Sequence, residues 1–217
     1  VDRSFTIDGA GLIVTGAVLS GRTDIGDQLV VSPQGTAVRV RGIHAQNQKT
    51  SVAIAGQRCA LNLVGLGLKR TEVQRGDWIL AQAVHAPTLR LDVRLNVLDS
   101  ESKALAHWTP VHLHIGAAAL SARVATLETN SIAPGSNGLA QLVFEQPVAA
   151  LRADRFILRD QSGRRTVAGG LVLDPFGLSR GRSKPARLAQ LRTMEAPAPS
   201  EGLMALLLCT GLDGVNL

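Results

Sequence analysis

The first 84 residues consist of short runs in which apolar and polar positions alternate. The runs are rich in Val, Ile and Leu and are bounded by Gly, Asp or Pro, a pattern typical of β-strands. No long helical period interrupts them, and closure into a barrel is the natural way to leave such a sheet without edges. The sequence therefore predicts an antiparallel β-barrel over residues 1–84, with strands at residues 4–7, 12–19, 28–32, 37–45, 51–53, 57–64 and 78–81.

One strand and one connection show this pattern most clearly. In residues 38–41 Val and Arg alternate strictly, which predicts valines against a core and arginines towards solvent or a ligand. Residues 20–27 are rich in turn residues, and Gly21 and Gly26 can adopt positive φ angles there at little steric cost. We expect residues 20–27 to connect two strands.

A second series of strands follows the His-Ala-Pro sequence at residues 85–87. Residues 130–137 are expected to form a loop, because Pro, Gly, Ser and Asn follow one another at its end. We predict a second antiparallel barrel over residues 88–174, and hence an all-β fold of two consecutive β-barrels. Its strands are predicted at residues 89–97, 111–115, 120–126, 138–144, 155–159 and 165–173.

The pattern changes after residue 174. Residues 175–199 are basic and contain several prolines, and they are interpreted as a linker. In residues 200–217, Ser200 is placed to cap a short helix ending near residue 208, with Glu201 in its first turn. This short C-terminal helical segment is expected to open a further domain, so we interpret the chain as a piece cut at both ends.

Composition narrows the class of protein. Hydrophobic residues make up 45% of the chain, as in a globular protein, and aromatic residues only 3%, so the core should consist of Val, Leu, Ile and Ala. Cys59 and Cys209 lie far apart, which argues against a disulfide framework and favours a reducing cytosol. The sequence has no apolar run of membrane-spanning length and no leader at its start. We expect a cytoplasmic protein without a membrane partner.

The formal net charge of +6 comes largely from one segment. Residues 179–193 contain five basic residues and no acidic one, whereas the rest of the chain is nearly neutral. Such a segment is either a solvated linker or a surface that contacts the backbone of a nucleic acid. The five basic residues are Arg180, Arg182, Lys184, Arg187 and Arg192.

The sequence offers no catalytic centre. The Gly-Ala-Gly sequence at residues 9–11 lies between strands with no helix after it, which excludes a dinucleotide-binding or phosphate-binding loop. His112 and His114 are two positions apart and therefore share one face of a strand, but no third metal ligand is evident. We expect hydrogen-bonded or RNA-facing histidines. Cys59 alternates with leucines and is expected in the core.

Asp2, Arg3 and Arg58 are the charged residues that most need an explanation. Arg58 interrupts an apolar stretch, and the residues on its side of the strand are Ala60 and Asn62. An arginine beside small and polar side chains can line a pocket. It can equally form a surface ion pair, Asp2 with Arg58 or with Arg3, and the residues alone leave both interpretations open.

Several motifs resemble a known family. Residues 1–6 (VDRSFT), 9–16 (GAGLIVTG), 19–21 (LSG) and 26–29 (GDQL) resemble the start of the second domain of translational GTPases. Further motifs narrow the resemblance to bacterial selenocysteine-specific elongation factors of the SelB type. They are RGIHAQNQ at 41–48, AGQRCALNL at 55–63, RGDW at 75–78, PVHLHIG at 110–116 and AGG at 168–170.

The resemblance implies a parent protein of several domains. An N-terminal GTPase domain would bind GTP and Mg²⁺, two barrels of the translation-factor type would hold selenocysteyl-tRNA, and C-terminal winged helices would read a hairpin in the selenoprotein messenger RNA. The parent would deliver its tRNA to the ribosome at recoded UGA codons. The chain itself would then hold the two barrels and the start of the winged-helix region, bind no cofactor, lack enzymatic activity and be monomeric.

The resemblance also implies a binding site. Arg3 and Arg58 match the arginines of the family's selenocysteine pocket, and Asp2 matches the acidic residue that takes the ammonium of the aminoacyl group. A selenol is more acidic than a thiol, which ionises near pH 8.5, so an anionic side chain beside two guanidinium groups is chemically reasonable. The candidate tRNA contacts are His112, His114, Arg123, Arg180, Arg182 and Lys184.

Two other function classes remain as alternatives. One is a fragment of another translational GTPase, a Tu-type or initiation factor that binds a different aminoacyl-tRNA. The other is a non-translational pair of barrels, either a structural module or an enzyme of riboflavin-synthase-like architecture. The residue types found here provide no acid–base or nucleophile arrangement for such an enzyme.

Overall fold

The computed structural model describes residues 1–65 and 73–195. The chain divides into two compact units, Val1–Pro87 and Thr88–Leu217. Strands dominate both units, so the all-β prediction is confirmed. Within the described residues, no helix is both long enough and apolar enough to cross a membrane.

The strands of the first unit pair antiparallel. In one seven-stranded sheet the order is β1-β2-β8-β5-β4-β9, with β6 beside β5, and β3 pairs with β7 in a separate ladder. Their hydrogen bonds do not close into a ring within the described residues, whereas we expected a closed barrel. The strands are β1 Arg3–Ile7, β2 Gly11–Ala17, β3 Arg22–Asp24, β4 Gln28–Ser32, β5 Thr36–Ala45, β6 Gln48–Thr50, β7 Val52–Ile54, β8 Arg58–Val64 and β9 Trp78–Leu80.

The predicted alternation in β5 is present, and it is interrupted by a bulge. Val38 and Val40 are buried while the arginines between and after them are exposed. The register against β8 shifts between Val40 and Gly42, which returns Ile43 to the buried face. The segment expected only as a connection, residues 20–27, contains the short strand β3.

The second unit is a closed barrel with the strand order β10-β15-β13-β12-β16-β17. Closure leaves no unpaired edge, and the interior is filled by aliphatic residues such as Leu95, Leu113 and Leu142. A two-stranded ladder, β11 with β14, lies outside the ring. The strands are β10 Thr88–Val97, β11 Leu105–Ala106, β12 Thr109–Ile115, β13 Ala118–Thr126, β14 Ser131–Ile132, β15 Asn137–Val148, β16 Arg155–Arg159 and β17 Thr166–Asp174.

The segment after β17 differs from the expected linker. It forms helix α1, Pro185–Thr193, with proline at its first turn, a position that needs no backbone N–H. Leu191 is fully buried with Leu139 and Leu173, so the helix packs onto the second unit. Neither expected role, a solvated linker or a nucleic-acid contact, applies to Arg187, which is buried against Asp92, a residue 95 positions away in the chain that the local sequence does not reveal as its partner. The short helix expected in residues 200–217 lies outside the described residues.

Candidate functional site

The structure brings Asp2 and Arg58 into direct contact. Arg58 is the first residue of β8 and lies opposite Ala17 of β2. Asp2 immediately precedes β1, and its backbone N–H donates to the carbonyl of Thr15 at 2.7 Å. Arg58 Nη1 donates to Asp2 Oδ2 at 2.5 Å. The Arg58 side chain remains 62% exposed and that of Asp2 36%. The ion pair that the sequence left as one of two interpretations is therefore formed, and it faces solvent.

Arg3 lies beside this pair without touching it. It is exposed and has no ion-pair partner within residues 1–65 and 73–195. In the ladder it lies opposite Thr15, which lies opposite Ala60, which in turn lies opposite His44. Side chains directly opposite one another across antiparallel strands are about 5 Å apart at Cβ. Arg3 is therefore the first of four residues that lie side by side across β1, β2, β8 and β5, and the other three are small or polar.

Polar atoms without partners lie on the same strands. Thr15 Oγ1 and Asn62 Oδ1 are both buried, and neither has a hydrogen-bond partner in the described part of the chain. The amide nitrogen of Asn62 is used, since it donates to the carbonyl of Ala10 at 3.0 Å. Sequence reasoning missed Thr15 and His44, which only the strand register brings into one row with Arg3.

His112 and His114 share the outer face of β12, as predicted, between buried aliphatic residues. His112 Nε2 lies 3.1 Å from the carbonyl oxygen of Gln161. Burial lowers the pKa of His114, and the charges of Arg159 and His112 lower it further, so His114 is neutral at pH 7. No group of three metal-ligating side chains occurs in the described residues. Arg123 is exposed on the same outer face, on the neighbouring strand β13.

The basic segment 179–193 serves two purposes. Arg180 and Lys184 are exposed, and Arg182 is half-buried with its Nη1 3.2 Å from Gln141 Oε1. Arg192 pairs with Glu128 at 2.5 Å. The backbone N–H of Leu139 and Arg192 together lower the pKa of the Glu128 carboxyl in spite of its partial burial, which acts in the other direction. Arg180, Arg182 and Lys184 thus remain as candidate contacts, while the other two basic residues hold α1.

Arg187 is buried in a polar network that joins α1 to the barrel. Its Nη2 donates to Asp92 Oδ2 at 2.6 Å and to Asp174 Oδ2 at 2.5 Å. Gln141 Nε2 donates to the other oxygen of Asp92 at 2.7 Å. Burial raises the pKa of Asp92, and the hydrogen bonds from Arg187 and Gln141, which lower it, do not offset this effect. Burial lowers the pKa of Arg187, but the bonds to Asp174 and Asp92 outweigh it and raise that pKa. This network is structural, because its members are closed off from solvent.

Two protein-family models match the chain. Residues 92–178 match the β-barrel domain of the selenocysteine-specific elongation factor, and residues 11–80 match domain 2 of elongation factor Tu. Both are barrel domains of translation factors, and neither is the GTPase domain of such factors.

Curated relatives carry the same family name. The selenocysteine-specific elongation factor of Escherichia coli K12 is 41% identical over 89% of this chain and 30% of its own length. That of Desulfomicrobium baculatum is 33% identical over 100% of this chain and 34% of its own length. An elongation factor 1-alpha, from Pyrobaculum aerophilum, is more distant at 28% identity over 78% of this chain and 42% of its own length. The chain spans about a third of the length of the selenocysteine-specific relatives it matches.

Solved structures share the fold. The chain resembles elongation factor SelB of Methanococcus maripaludis in its apo form, with a TM-score of 0.68 and 23% identity over 79% of this chain and 40% of the other. It also resembles Sup35 complexed with GDP, with a TM-score of 0.69 and 22% identity over 78% of this chain and 45% of the other. These likenesses show the fold, and the curated relatives at 41% and 33% identity show that the chain belongs to the family of selenocysteine-specific elongation factors.

Proposed function

We propose that this chain is the aminoacyl-tRNA-binding part of a translation factor that delivers selenocysteyl-tRNA to the ribosome at recoded UGA codons. The observation that carries the proposal is the contact between Asp2 and Arg58, with Arg3 next to Asp2 in the chain at the start of β1, two strands away from Arg58 in the same sheet. The name of the relatives, selenocysteine-specific elongation factor, supports the choice of amino acid. It disfavours the alternative of a Tu-type or initiation factor.

The charges of the site suit an aminoacyl group that has an anionic side chain and a cationic α-amino group. Arg58 uses one N–H on Asp2, and a guanidinium carries five donors, so the exposed remainder is available to a ligand. Arg3 adds a second guanidinium that is free of ion pairs within the described residues. In the proposed complex both arginines flank the selenolate, and Asp2 accepts from the ammonium of the aminoacyl group. Serine, with a neutral hydroxyl, gains less from the two charges.

We further propose that the tRNA body contacts the second unit through hydrogen bonds to two half-buried histidines and through phosphate contacts to arginine and lysine side chains. His112, His114 and Arg123 share the outer face of two adjacent strands, which gives the RNA backbone one continuous surface to lie on. Arg180, Arg182 and Lys184 precede α1 in a segment without acidic residues. Contacts of this type neutralise phosphates and weaken steeply with salt.

The remaining roles belong to the parent protein. In this proposal GTP and Mg²⁺ bind to a domain outside this chain, and the chain by itself is neither an enzyme nor a cofactor-binding protein. The messenger RNA hairpin and the ribosome are partners of the parent, which acts as a monomer in the cytoplasm.

The test compares two arginines of the first unit that form equally short exposed ion pairs. Arg58→Ala in the full-length factor removes the proposed selenolate contact, whereas Arg22→Ala removes the Arg22–Asp24 pair, which is also 2.5 Å long and similarly exposed. Charged hydrogen bonds contribute about 1.5–3 kcal/mol each. We therefore expect Arg58→Ala to weaken binding of selenocysteyl-tRNA about tenfold or more. Binding of the same tRNA charged with serine should change little.

The measurement is the equilibrium dissociation constant of the selenocysteyl and the seryl form of the tRNA, determined with GTP present for each variant. If Arg58→Ala weakens the selenocysteyl and seryl forms equally, the arginine does not read the side chain. If Arg22→Ala has the same effect as Arg58→Ala, the loss reflects surface charge in general. Either result would contradict the proposed pocket.

A further inference from the structure

Trp108 is an exposed aromatic residue whose backbone conformation is unfavourable for a bulky side chain. The chain has only six aromatic residues and no Tyr. Trp108 is 42% exposed, so it contributes little to the core. Its φ angle is +69°, in the left-handed region that suits Gly or Asn and that a bulky side chain rarely adopts. Residues in sparsely populated backbone regions cluster at functional sites. Neither burial nor backbone preference explains a tryptophan here.

The surrounding structure holds Trp108 and its neighbour His107 in place. The backbone N–H of Trp108 donates to the backbone carbonyl of Val124 at 2.6 Å, and the backbone N–H of His107 donates to the backbone carbonyl of Asn130 at 2.8 Å. His107 Nδ1 lies 3.2 Å from the hydroxyl of Thr126. The two rings stack with centroids 6.0 Å apart and planes 28° from parallel. The result is an aromatic surface that is preorganised and open to solvent.

A cationic side chain lies over this surface. The Arg182 guanidinium lies over the Trp108 ring, with Cζ 5.7 Å from the ring centroid. This distance is near the outer limit of about 6 Å for a cation–π contact, and Arg182 Nη1 also donates to Gln141 Oε1 at 3.2 Å, so the guanidinium is anchored beside the ring with its other N–H groups left for a phosphate. Arg180 and Lys184 flank Arg182 in sequence and are exposed. Aromatic faces combined with basic side chains are the usual components of single-stranded nucleic-acid sites.

A cavity of about 390 Å³ opens next to His107. Its lining is mostly polar, and Asn130 and Ser183 can hydrogen-bond the edge of a base. Glu128 also lines it, and this carboxylate repels phosphate but accepts hydrogen bonds from the amino group of a base. The charge of Glu128 is partly neutralised by Arg192. The cavity therefore suits a nucleobase, with phosphates outside it near the arginines.

We propose that Trp108 and His107 form a stacking site for an unpaired RNA base, whose polar edge enters the adjoining cavity and whose phosphates contact Arg180, Arg182 and Lys184. The polar cavity lining and the absence of acidic residues from 179–193 favour RNA over a protein partner. The site lies on the second unit and goes beyond the aminoacyl pocket of the first. Its test uses RNA without an amino acid, so that its failure and the failure of the proposed function are distinguishable.

Tryptophan fluorescence of the whole chain tests the stacking site. In a Trp78→Phe background Trp108 is the single fluorescent tryptophan. Titration with an unstructured RNA of about eight nucleotides, a length typical of one binding module, should quench its emission. The Trp108 variants lack this fluorophore, so their affinities are measured by the anisotropy of a fluorescently labelled RNA of the same sequence. Stacking contributes enough that Trp108→Asn should weaken binding about tenfold, whereas Trp108→Tyr should retain most of it. Phe176→Ala, which removes another exposed aromatic residue of the same unit, should leave the affinity unchanged.

Three controls decide the outcome. Asn tolerates a positive φ, so Trp108→Asn should not lower the melting temperature, which separates loss of stacking from loss of folding. An abasic analogue of the RNA should bind the unaltered protein and Trp108→Asn equally weakly. If the abasic analogue binds as well as the RNA, only phosphates are recognised and the proposal is wrong. It is also wrong if RNA leaves the fluorescence unchanged while acrylamide fails to reach Trp108, because a protein segment then covers the ring.

Discussion

Arg58 and Arg187 show how differently two arginines of one chain can be used. Each contacts an aspartate at close range, but Arg58 is largely exposed whereas Arg187 is closed into the network of Asp92, Asp174 and Gln141. An exposed ion pair contributes little to stability and leaves donors for a ligand. A buried pair is costly to break, because the remaining charge stays without a partner. Similar local chemistry thus leaves hydrogen-bond donors exposed in one unit and ties them into the fold in the other.

Replacing Arg187 by Met tests the structural role of the buried pair. The substitution leaves Asp92 fully buried beside a side chain that cannot donate a hydrogen bond. We expect the free energy of unfolding to fall by about 3–5 kcal/mol. Arg192→Met on the same helix removes an exposed pair and should cost about 1 kcal/mol or less. Denaturant unfolding of the two variants measures both, and equal losses would show that Arg187 is not structurally distinct.

At the scale of elements, the Ala-Gly-Gly motif at residues 168–170 has a packing explanation. A Cβ at Gly170 would lie 2.0 Å from the carbonyl oxygen of Arg94 and 2.9 Å from the ring of Phe156. Strand β17 can therefore approach β10 and β16 closely only with glycine at this position. The motif is one of those that resemble the family, and its packing shows that it serves the closure of the barrel.

Gly170→Ala should therefore destabilise the second unit. Overpacking of this kind costs about 3 kcal/mol, because two backbones have to separate. Gly42→Ala is the matched control, since its Cβ would have Asn62 Cβ as its nearest neighbour at an ordinary 3.8 Å. That variant should change the free energy of unfolding by no more than about 0.5 kcal/mol. Thermal melts of both proteins are sufficient, and an unperturbed Gly170→Ala would refute the close-packing explanation.

At the scale of the whole molecule, alternation of apolar and polar residues was sufficient to place most strands. The predicted spans at residues 28–32 and 155–159 coincide with β4 and β16. Short strands such as Arg22–Asp24 were missed, because three residues are too few to show the apolar–polar alternation that distinguishes a strand from a turn. The packing of α1 was missed for another reason. It depends on Arg187 meeting Asp92, a contact between distant positions that local sequence does not encode.

The residues of the candidate site could be found in the sequence, but their role came only from the resemblance. Asp2, Arg3 and Arg58 needed an explanation as charged residues, and the structure places the first and third in contact. Thr15 and His44 join Arg3 in a row only through the register of four strands. Trp108 passed unnoticed because its exposure and positive φ are properties of the folded chain. Sequence thus identified the charges, and the fold supplied their surroundings.

Recognition of an anionic side chain by the first unit can be measured by varying the charge of the amino acid that the tRNA carries. One tRNA is aminoacylated with selenocysteine, cysteine or serine, and the dissociation constants of the full-length factor are compared. Near pH 7 we expect tight binding of the selenolate and weaker binding of the neutral thiol and hydroxyl. Raising the pH from about 7 to about 8.5 ionises the thiol and should bring cysteine towards selenocysteine, while serine stays weak. Equal binding of all three forms, or a cysteine form that does not respond to pH, would contradict recognition of an anionic side chain.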